Sequence, residues 1–290
     1  MIKRILNKIR RDGLFNTAKT TLQIINFRLF QPDLDFKIVP DLLEKLLTDR
    51  TNLTIVQIGA NVGDTGTDHI YEFLKKWCRD DSPETQNLSI KAILVEPVQH
   101  LFVKLQENYD GFRGISCENV AIADRTCTKH FYRLRAGIDL ESQGLPSFAE
   151  ELGSFLPEQM NSLWSHDPDN IELREFVAEN TVVDDVTCLS IHDLAAKHHL
   201  EKIDFLQVDT EGYDYEILRT IDFEKLAPDY INFERIHLKK VEAKCRELLI
   251  RNGYRLHDHG QDTLAKRSFE LNLIERIREA IYCTWLRIVY

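Results

Sequence analysis

Short apolar segments of strand length alternate with amphipathic segments along most of the chain after residue 52. Apolar runs such as Leu53–Ile58 are typical of strands buried on both faces, and the segments between the runs have helical periodicity. Strands and helices at this spacing form βαβ units, whose right-handed crossovers give a doubly wound parallel sheet. The sequence therefore predicts an α/β fold. The predicted strands are Leu53–Ile58, Ala92–Val95, Ile115–Val120, Ile203–Val208 and Tyr230–Phe233, with a closing hairpin of Gly253–Leu256 and Asp262–Ala265.

The same alternation divides the chain into three parts. Residues 1–50 are predicted as a helical N-terminal extension, residues 51–266 as the α/β domain and residues 267–290 as a C-terminal helix. Within the domain the alternation pauses at residues 133–186, which contain several glycines and prolines. Long irregular segments of compact domains are often lids or binding loops, so we expect an insertion of loops and short helices there. Its aromatic residues, expected to shield a pocket, include Phe148, Phe155 and Trp164.

Charge and cysteine content narrow the class of protein. The chain carries 37 basic and 47 acidic residues, a formal charge of −10, which disfavours nucleic acid as a partner. Its six cysteines are scattered without a CxxC pair, so we expect reduced, partly buried thiols and neither a zinc motif nor a redox motif. The sequence contains neither a signal-peptide pattern nor a long apolar run that could span a membrane. We therefore expect a soluble, cytoplasmic protein.

The first predicted strand runs into the turn Gly59-Ala60-Asn61-Val62-Gly63. Glycines at such a turn permit positive φ and a close approach of the backbone to a ligand. The N-terminus of the helix that follows is expected to present free N–H groups and a positive dipole end to a carboxylate or a phosphate. The spacing differs from the GxGxxG of dinucleotide-binding proteins, and a tight βα turn without a ligand is the alternative interpretation.

An acidic residue, Glu96, stands at the end of the second predicted strand. A carboxylate at this position can accept hydrogen bonds from both ribose hydroxyls of an adenosine-type ligand. That ligand is NAD or S-adenosylmethionine. Asn61 narrows the turn where a pyrophosphate would pass, whereas the amino-acid carboxylate of S-adenosylmethionine suits the helix end, so the second ligand is favoured.

Five segments together resemble the FkbM family of methyltransferases. The matching segments are residues 56–63, 95–97, 119–124, 203–214 and the hairpin 253–265. The resemblance extends from about Leu53 to Lys266. It implies a class I methyltransferase (Rossmann-like) fold with seven strands, the last antiparallel, and S-adenosylmethionine as the methyl donor. It further implies O-methylation of sugars, glycolipids or polyketide-type hydroxyls.

The resemblance also implies roles for individual residues. Gln57 and the turn Gly59–Gly63 would hold the methionine moiety, Glu96 the ribose, and the turn from Asn119 to Ala121 would border the adenine. The chain departs from the family at Gln207, where the family often has lysine. The segment 133–186 does not match closely, so the acceptor is not implied.

Candidate catalytic residues follow the fourth and fifth predicted strands. Asp209 ends strand four and would face the same crevice as the turn after strand one, where it could hold the amino group of the donor or the acceptor hydroxyl. A helix N-cap is the alternative role. Glu234 and His237 follow strand five, and methyl transfer to a neutral hydroxyl needs a proton acceptor. We predict His237 as that acceptor and Glu234 as the second choice; a partly exposed histidine paired with a carboxylate is the alternative.

No bound metal is predicted, because the sequence shows no ligand spacing typical of a metal site. A magnesium site formed by Asp209, Glu234 and His237 is the weaker alternative, since oxygen ligands suit that ion.

Both termini are amphipathic. Residues 1–11 carry five basic side chains, three of them arginine, and at most a weak contact with a membrane surface is expected. Packing on the core or on the C-terminal helix is the favoured interpretation. That helix has an apolar stripe, which could instead form the seam of a homodimer. The stripe consists of Leu273, Ile274, Ile277, Ile281 and Ile288.

Taken together, these patterns predict an S-adenosylmethionine-dependent O-methyltransferase acting on a hydroxyl of a small molecule or saccharide. Two alternatives are a non-catalytic methyltransferase-like binding module and an NAD-dependent sugar-modifying enzyme. Binding of S-adenosylmethionine, NAD or neither would separate the three.

Overall fold

A computed structural model of the chain describes residues 38–66, 68–79, 88–145, 149, 153–157, 160, 171–268 and 273–289. The α-helices in these ranges are α1 (Ile38–Asp49), α2 (His69–Cys78), α3 (Gln99–Asn108), α4 (Ile171–Asn180), α5 (Ile191–Lys197), α6 (Asp214–Leu218), α7 (Glu242–Arg251) and α8 (Leu273–Val289). The strands are β1 (Asn52–Ile58), β2 (Ser89–Val95), β3 (Ile115–Glu118), β4 (Ala121–Ala123), β5 (Cys127–Leu134), β6 (Gly153–Ser154), β7 (Thr181–Ser190), β8 (Phe205–Val208), β9 (Tyr230–Glu234), β10 (Tyr254–His259) and β11 (Asp262–Arg267).

Seven of these strands form the main sheet, in the order β10-β11-β9-β8-β1-β2-β3. Strands β3, β2, β1, β8 and β9 are parallel, whereas β11 is antiparallel to both of its neighbours. This arrangement confirms the predicted doubly wound sheet with an antiparallel last strand. Ile58 at the end of β1 is level with Val95 of β2 and Val208 of β8, so the turns after these three strands meet at one edge.

The core lies on both faces of the sheet, and β1 shows why its sequence is almost continuously apolar. Leu53 and Ile55 pack with α1 and α2 on one face, while Val56 and Ile58 pack with the opposite cluster. Since successive side chains of a strand point to opposite faces, a central parallel strand between two helical layers needs apolar residues at nearly every position. Helix α1 lies in the described part of the predicted helical extension over residues 1–50.

A second, four-stranded sheet has the order β4-β7-β5-β6. The interpretation of residues 133–186 as loops and short helices is therefore wrong at both ends of the segment, because β5 pairs with β7 along its whole length, from Cys127↔Cys188 to Leu134↔Thr181. Both strands are half-exposed and mix polar with apolar residues. Such strands lack the continuous apolar run that marks a buried strand. The described part of the segment also contains β6 and α4, whereas Phe148 and Trp164 lie outside it.

The C-terminal helix α8 packs on α7 through Tyr282, Cys283 and Leu286, which contact Ala243. Of the predicted apolar stripe, Ile277, Ile281 and Ile288 are 51%, 56% and 63% exposed, so they are not buried against the described part of the chain. The homodimer seam stays a prediction. The side chains of Leu273 and Ile274 lie outside the described residues. Helix α8 packs on α7 through a neighbouring stripe of its surface. That stripe includes Glu279, which pairs with buried Arg246. The predictions for residues 1–37, including the basic helix, also fall outside the described residues.

Two expectations about composition can be compared with the structure. All six cysteines are unpaired thiols, and Cys78, Cys188, Cys245 and Cys283 are buried. Among the helices that the structure describes, none is both long enough and apolar enough to cross a bilayer.

Arg246 is 1% exposed and connects α7 to α8 and to the hairpin. Its guanidinium donates to Glu279 at 2.8–3.0 Å and to Asp258 at 2.7 Å. We expect Arg246→Met to destabilise the protein by about 3–5 kcal/mol, because it leaves two buried carboxylates without a counter-charge. Denaturant unfolding would measure this loss. Arg287→Met is the control, since Arg287 pairs with Glu247 at the surface and should cost less than about 1 kcal/mol. Equal losses would contradict the expectation.

Candidate active site

The turns after β1, β2 and β8 and the end of β9 surround a cavity of about 910 Å³, which the β10–β11 turn and Phe155 also line. Ligands of doubly wound sheets bind outside the carboxyl ends of the strands, where the strand order reverses. Eight residues predicted for the site line this cavity: Gln57, Gly59, Ala60, Asn61, Glu96, Ala121, Asp209 and Glu234.

Positive φ values shape the turn after β1, as the sequence predicts. Gly59, Asn61 and Gly63 have φ of +81°, +49° and +78°. A Cβ at Gly59 would lie 1.7 Å from the backbone oxygen of Asp209. Only glycine allows the turns after β1 and β8 to approach this closely.

The expectation that backbone N–H groups of this turn are free to bind a ligand is wrong. The amides of Gly59 and Ala60 both donate to the carbonyl of Val95 at 3.0 Å. The amide of Asn61 donates to the Glu96 carboxylate at 2.9 Å. The turn satisfies these donors within the protein because it crosses directly over the end of β2. The carboxylate of the methionine moiety must therefore be held by other donors.

The helix end is likewise capped from within. Asp68 is the N-cap of α2 and accepts hydrogen bonds from the amides of Ile70 and Tyr71 at 2.7 and 3.0 Å. Its other oxygen accepts from the Gln57 amide group at 2.8 Å. Sequence reasoning missed Asp68, although an aspartate just before a helix is an N-cap signal.

Glu96 is buried, and its two oxygens accept hydrogen bonds from the amides of Asn61 and Val98. Burial raises the pKa of Glu96 from 4.5 to about 7. A carboxylate offers about four acceptor positions, so each oxygen retains a second one. The predicted interaction with ribose hydroxyls is compatible with this geometry.

Gln57 provides a second polar position for the donor. Its Oε1 is buried and has no hydrogen-bond partner among the described residues. A buried acceptor left unpaired costs about 1–3 kcal/mol. The ammonium group of a methionine moiety would satisfy it, and the residues therefore fit S-adenosylmethionine at its ammonium and ribose ends.

Three residues form what we term the carboxylate–histidine cluster: Glu211, Glu234 and His237. His237 Nε2 lies 3.5 Å from Glu211 Oε2 and 3.6 Å from Glu234 Oε1. Burial and the nearby charges of Asp209 and Glu211 raise the pKa of Glu234 to about 10. Burial and Asp214 raise the pKa of Glu211 to about 7. The predicted proximity of Glu234 and His237 is thus observed, with Glu211 as a third member that sequence reasoning did not select.

Asp209 lies beside this cluster at the end of β8. Its side chain is open to the cavity, yet the surrounding protein desolvates it, and this effect, with the charges of Glu211 and Asp214, raises its pKa well above 3.8. The exposure of the side chain to the cavity does not prevent this rise, because water confined in a cavity solvates a charge less well than bulk water.

Buried Asp214 ties the ends of β8 and β9 together. It accepts hydrogen bonds from the Thr210 hydroxyl at 2.7 Å and from the amide of Glu234 at 3.2 Å. Burial raises its pKa to about 7. Its position two residues after Gly212 is a signal only for a helix start, so sequence alone did not point to it.

Gln207, the departure from the family pattern, belongs to a buried polar network. Asn232 Nδ2 donates to Gln207 Oε1 at 3.0 Å and to Asp262 Oδ2 at 2.9 Å. His259 Nε2 lies 2.8 Å from Asn232 Oδ1, and burial lowers the pKa of His259. This network lines the cavity and links four strands of the sheet, β8, β9, β10 and β11.

Three predicted residues are not among the described residues that line the cavity. A Cβ at Gly63 would lie 2.5 Å from the ring of Tyr109, so this glycine serves packing. Asn119 donates to the carbonyls of Glu96 and Pro97 and holds the turn after β2. His237 lies behind Glu211 and Glu234, 20% exposed at its side chain.

The strand order, the antiparallel β11 and a cavity with an acidic residue at the tip of β2 define a class I S-adenosylmethionine-dependent methyltransferase. A family model described as the methyltransferase FkbM domain matches residues 57–256, and the chain belongs to this family. It is therefore a methyltransferase with S-adenosylmethionine as its methyl donor.

Solved structures resemble the chain only distantly. A class I methyltransferase from Listeria monocytogenes is 10% identical with a TM-score of 0.38, covering 96% of this chain and 80% of its own. A ribosomal protein L11 methylase from Lactobacillus delbrueckii subsp. bulgaricus is 10% identical with a TM-score of 0.32, covering 75% and 71%. The fibrillarin pre-rRNA processing protein of Methanococcus jannaschii is 11% identical with a TM-score of 0.34, covering 76% and 68%. These likenesses are too weak to add to the assignment. No curated protein sequence matches the chain significantly.

Gly59→Ala should abolish binding of S-adenosylmethionine, because the added methyl group would push the turns after β1 and β8 apart. Gly66→Ala is a matched control: Gly66 also has positive φ, at +77°, but a Cβ there meets nothing within 4 Å. The control should lose about 1–2 kcal/mol of stability from backbone strain and keep its affinity. Calorimetric titration with S-adenosylhomocysteine and thermal unfolding would measure both. Wild-type affinity in a folded Gly59→Ala variant would show that the close contact between the turns after β1 and β8 is not needed for binding.

Affinity for S-adenosylmethionine should rise with pH through Glu96. The pKa of Glu96 is about 7 in the folded protein and 4.5 in the unfolded chain, so folding favours protonated Glu96. The contribution of Glu96 to the free energy of unfolding is therefore complete below pH 4.5 and is lost as the pH rises through 7. The ribose hydroxyls of S-adenosylmethionine would donate to ionised Glu96, so the ionised fraction of Glu96 sets the affinity for this ligand. One linked proton gives an increase of about tenfold between pH 6 and 8. Calorimetry across this range should show the rise in the wild type and a flatter profile in Glu96→Gln; identical profiles would exclude Glu96 as the linked group.

Proposed function

We propose that the chain transfers the methyl group of S-adenosylmethionine to a hydroxyl oxygen of an uncharged small molecule, such as a sugar, a glycolipid or a polyketide-type compound. The observation that carries the proposal is the carboxylate–histidine cluster, which adjoins the side of the cavity opposite Glu96 and the turn after β1. Proton acceptors are needed at the acceptor end when the methyl group goes to a neutral hydroxyl.

The proposed reaction is an in-line displacement. A bond forms between the acceptor oxygen and the methyl carbon while the bond from that carbon to sulfur breaks, and S-adenosylhomocysteine leaves. The hydroxyl proton passes to the protein. Glu234 is a poor acceptor at neutral pH, because a pKa of about 10 keeps it protonated. This favours His237, the first choice from sequence, or Asp209, which opens onto the cavity.

The charge of the cavity supports an uncharged acceptor. Neither lysine nor arginine occurs among the described residues that line it, whereas seven acids do: Asp64, Asp68, Glu96, Asp209, Glu211, Glu234 and Asp262. Such a wall attracts the positive sulfonium and ammonium groups of the donor and repels phosphorylated or carboxylated acceptors.

An aromatic wall supports the same proposal. The rings of Phe155 and Tyr213 lie 4.9 Å apart between centroids, and Phe155 and Phe131 lie 5.3 Å apart. All three residues line the cavity. They offer an apolar face to a sugar ring or polyketide and exclude water from the reacting groups.

Methyl-deuterated S-adenosylmethionine would test the proposal with a panel of sugars, glycolipids and polyketide aglycones. Mass spectrometry and NMR of the products should locate the label on a hydroxyl oxygen. Label found only on nitrogen, carbon or sulfur, or preferential methylation of phosphorylated acceptors, would overturn it.

His237→Asn should lower kcat by about 10²–10⁴-fold, the usual contribution of a positioned acid–base group, and leave the affinity for S-adenosylhomocysteine within about twofold. His130→Asn is the control, because His130 also pairs with a carboxylate, Asp185 at 2.7 Å, but lies exposed on β5. Steady-state kinetics and calorimetry would measure both variants. An unchanged kcat in His237→Asn would remove this residue from the mechanism.

A further inference from the structure

We propose that Glu211, Glu234 and His237 bind a divalent cation at the acceptor end of the cavity. Each residue offers one ligand atom, and the three atoms lie within 4.8 Å of one another. Two of the separations are 3.5 and 3.6 Å. Ligands at right angles around a cation with bonds of about 2.1 Å are about 3.0 Å apart. Small side-chain movements would therefore close the site.

The burial of Glu234 and its unpartnered oxygen point independently to a cation. Glu234 is 8% exposed, and its Oε2 is buried without a hydrogen-bond partner among the residues that the structure describes. A buried carboxylate oxygen without a donor is costly, and a second carboxyl group beside it adds repulsion. Lysine and arginine, which could supply the charge, are absent from the described lining of the cavity. A cation would satisfy the free oxygen and neutralise both carboxylates.

The fold holds two of these ligands at neighbouring strand ends. The parallel pairing of Val208 with Phe233 places the segments after β8 and β9 side by side. Glu234 is the last residue of β9, and Glu211 follows β8 with φ of +55°, a left-handed conformation that is uncommon outside glycine. Asp214 holds the two strand ends together through Thr210 and the amide of Glu234. The alternative metal site considered from sequence has Asp209 in the place that Glu211 takes here.

The donor set indicates the kind of cation. Two carboxylates favour hard cations such as Mg²⁺ and Mn²⁺, and a single imidazole is compatible with Mn²⁺. Three protein ligands leave positions open for oxygens of the substrate. The role of the cation rests on the proposed function: it would hold oxygens of the hydroxylated acceptor. With His237 as a ligand of the cation, the hydroxyl proton would pass to Asp209, the other proton acceptor named for the proposed reaction.

The test is a Mn²⁺ titration of the full chain after treatment with a chelator. Electron paramagnetic resonance of free Mn²⁺ would be followed with and without S-adenosylhomocysteine. We expect one Mn²⁺ per wild-type chain and at least tenfold weaker binding in Glu234→Gln and Glu211→Gln. Glu216→Gln is the matched control, because Glu216 is a carboxylate on α6 that pairs with Arg219 outside the cavity. It should bind like the wild type.

Two further measurements distinguish a loss of metal binding from a loss of folding. Each variant should bind S-adenosylhomocysteine, which shows that it is folded, and Mn²⁺ should raise Tm in the wild type and Glu216→Gln but not in Glu234→Gln. Absence of stoichiometric Mn²⁺ binding in the wild type under both conditions, or equal binding in Glu234→Gln, would overturn the proposal. Mn²⁺ binding without O-methylation would support the metal site and refute the proposed function. O-methylation by a chain that binds no Mn²⁺ would support the proposed function and refute the metal site.

Discussion

The contact between the turns after β1 and β8 determines the position of the rest of the site. The amide of Asp209 donates to the carbonyl of Ile58, and the missing Cβ of Gly59 leaves room for the backbone oxygen of Asp209. Because both turns follow central, fully buried strands, neither can move without disrupting the core. The donor side and the acceptor side of the cavity are thereby held at a constant separation, which in-line methyl transfer requires.

The donor side of the cavity is hydrogen-bonded differently from a simple anion-binding turn, whose backbone N–H groups are free for the ligand. The turn after β1 and the first turn of α2 use their amides on Val95, Glu96 and Asp68. Carboxylates, rather than free amides, therefore dominate this side of the cavity. That chemistry suits the positively charged and hydroxyl-bearing parts of S-adenosylmethionine. Burial raises the pKa of both Asp68 and Glu96, and the hydrogen bonds that these carboxylates accept offset only part of that rise.

The acceptor side concentrates acids further, and this concentration is the main electrostatic feature of the molecule. Asp209, Glu211, Asp214 and Glu234 all have pKa values above their ordinary range, with burial as the largest cause and mutual repulsion among the others for three of them. Keeping such groups together costs stability, since desolvation and like charges both disfavour ionisation. Strongly perturbed groups in a cleft are typical of functional sites, and here they surround the place where the proposed acceptor hydroxyl would lose its proton.

The sequence by itself determined the sheet, because runs such as Leu53–Ile58 must be buried on both faces and can only be central parallel strands. It also located eight cavity residues, since the ends of parallel strands meet at one edge whatever surrounds them. It could not show the pairing of β5 with β7, whose half-polar pattern depends on which face a distant strand covers. Nor could it show that Asp68 and Val95 take up the amides, or that Glu211 joins Glu234 and His237. Those facts depend on distances between residues far apart in the chain, which only packing of the complete fold sets.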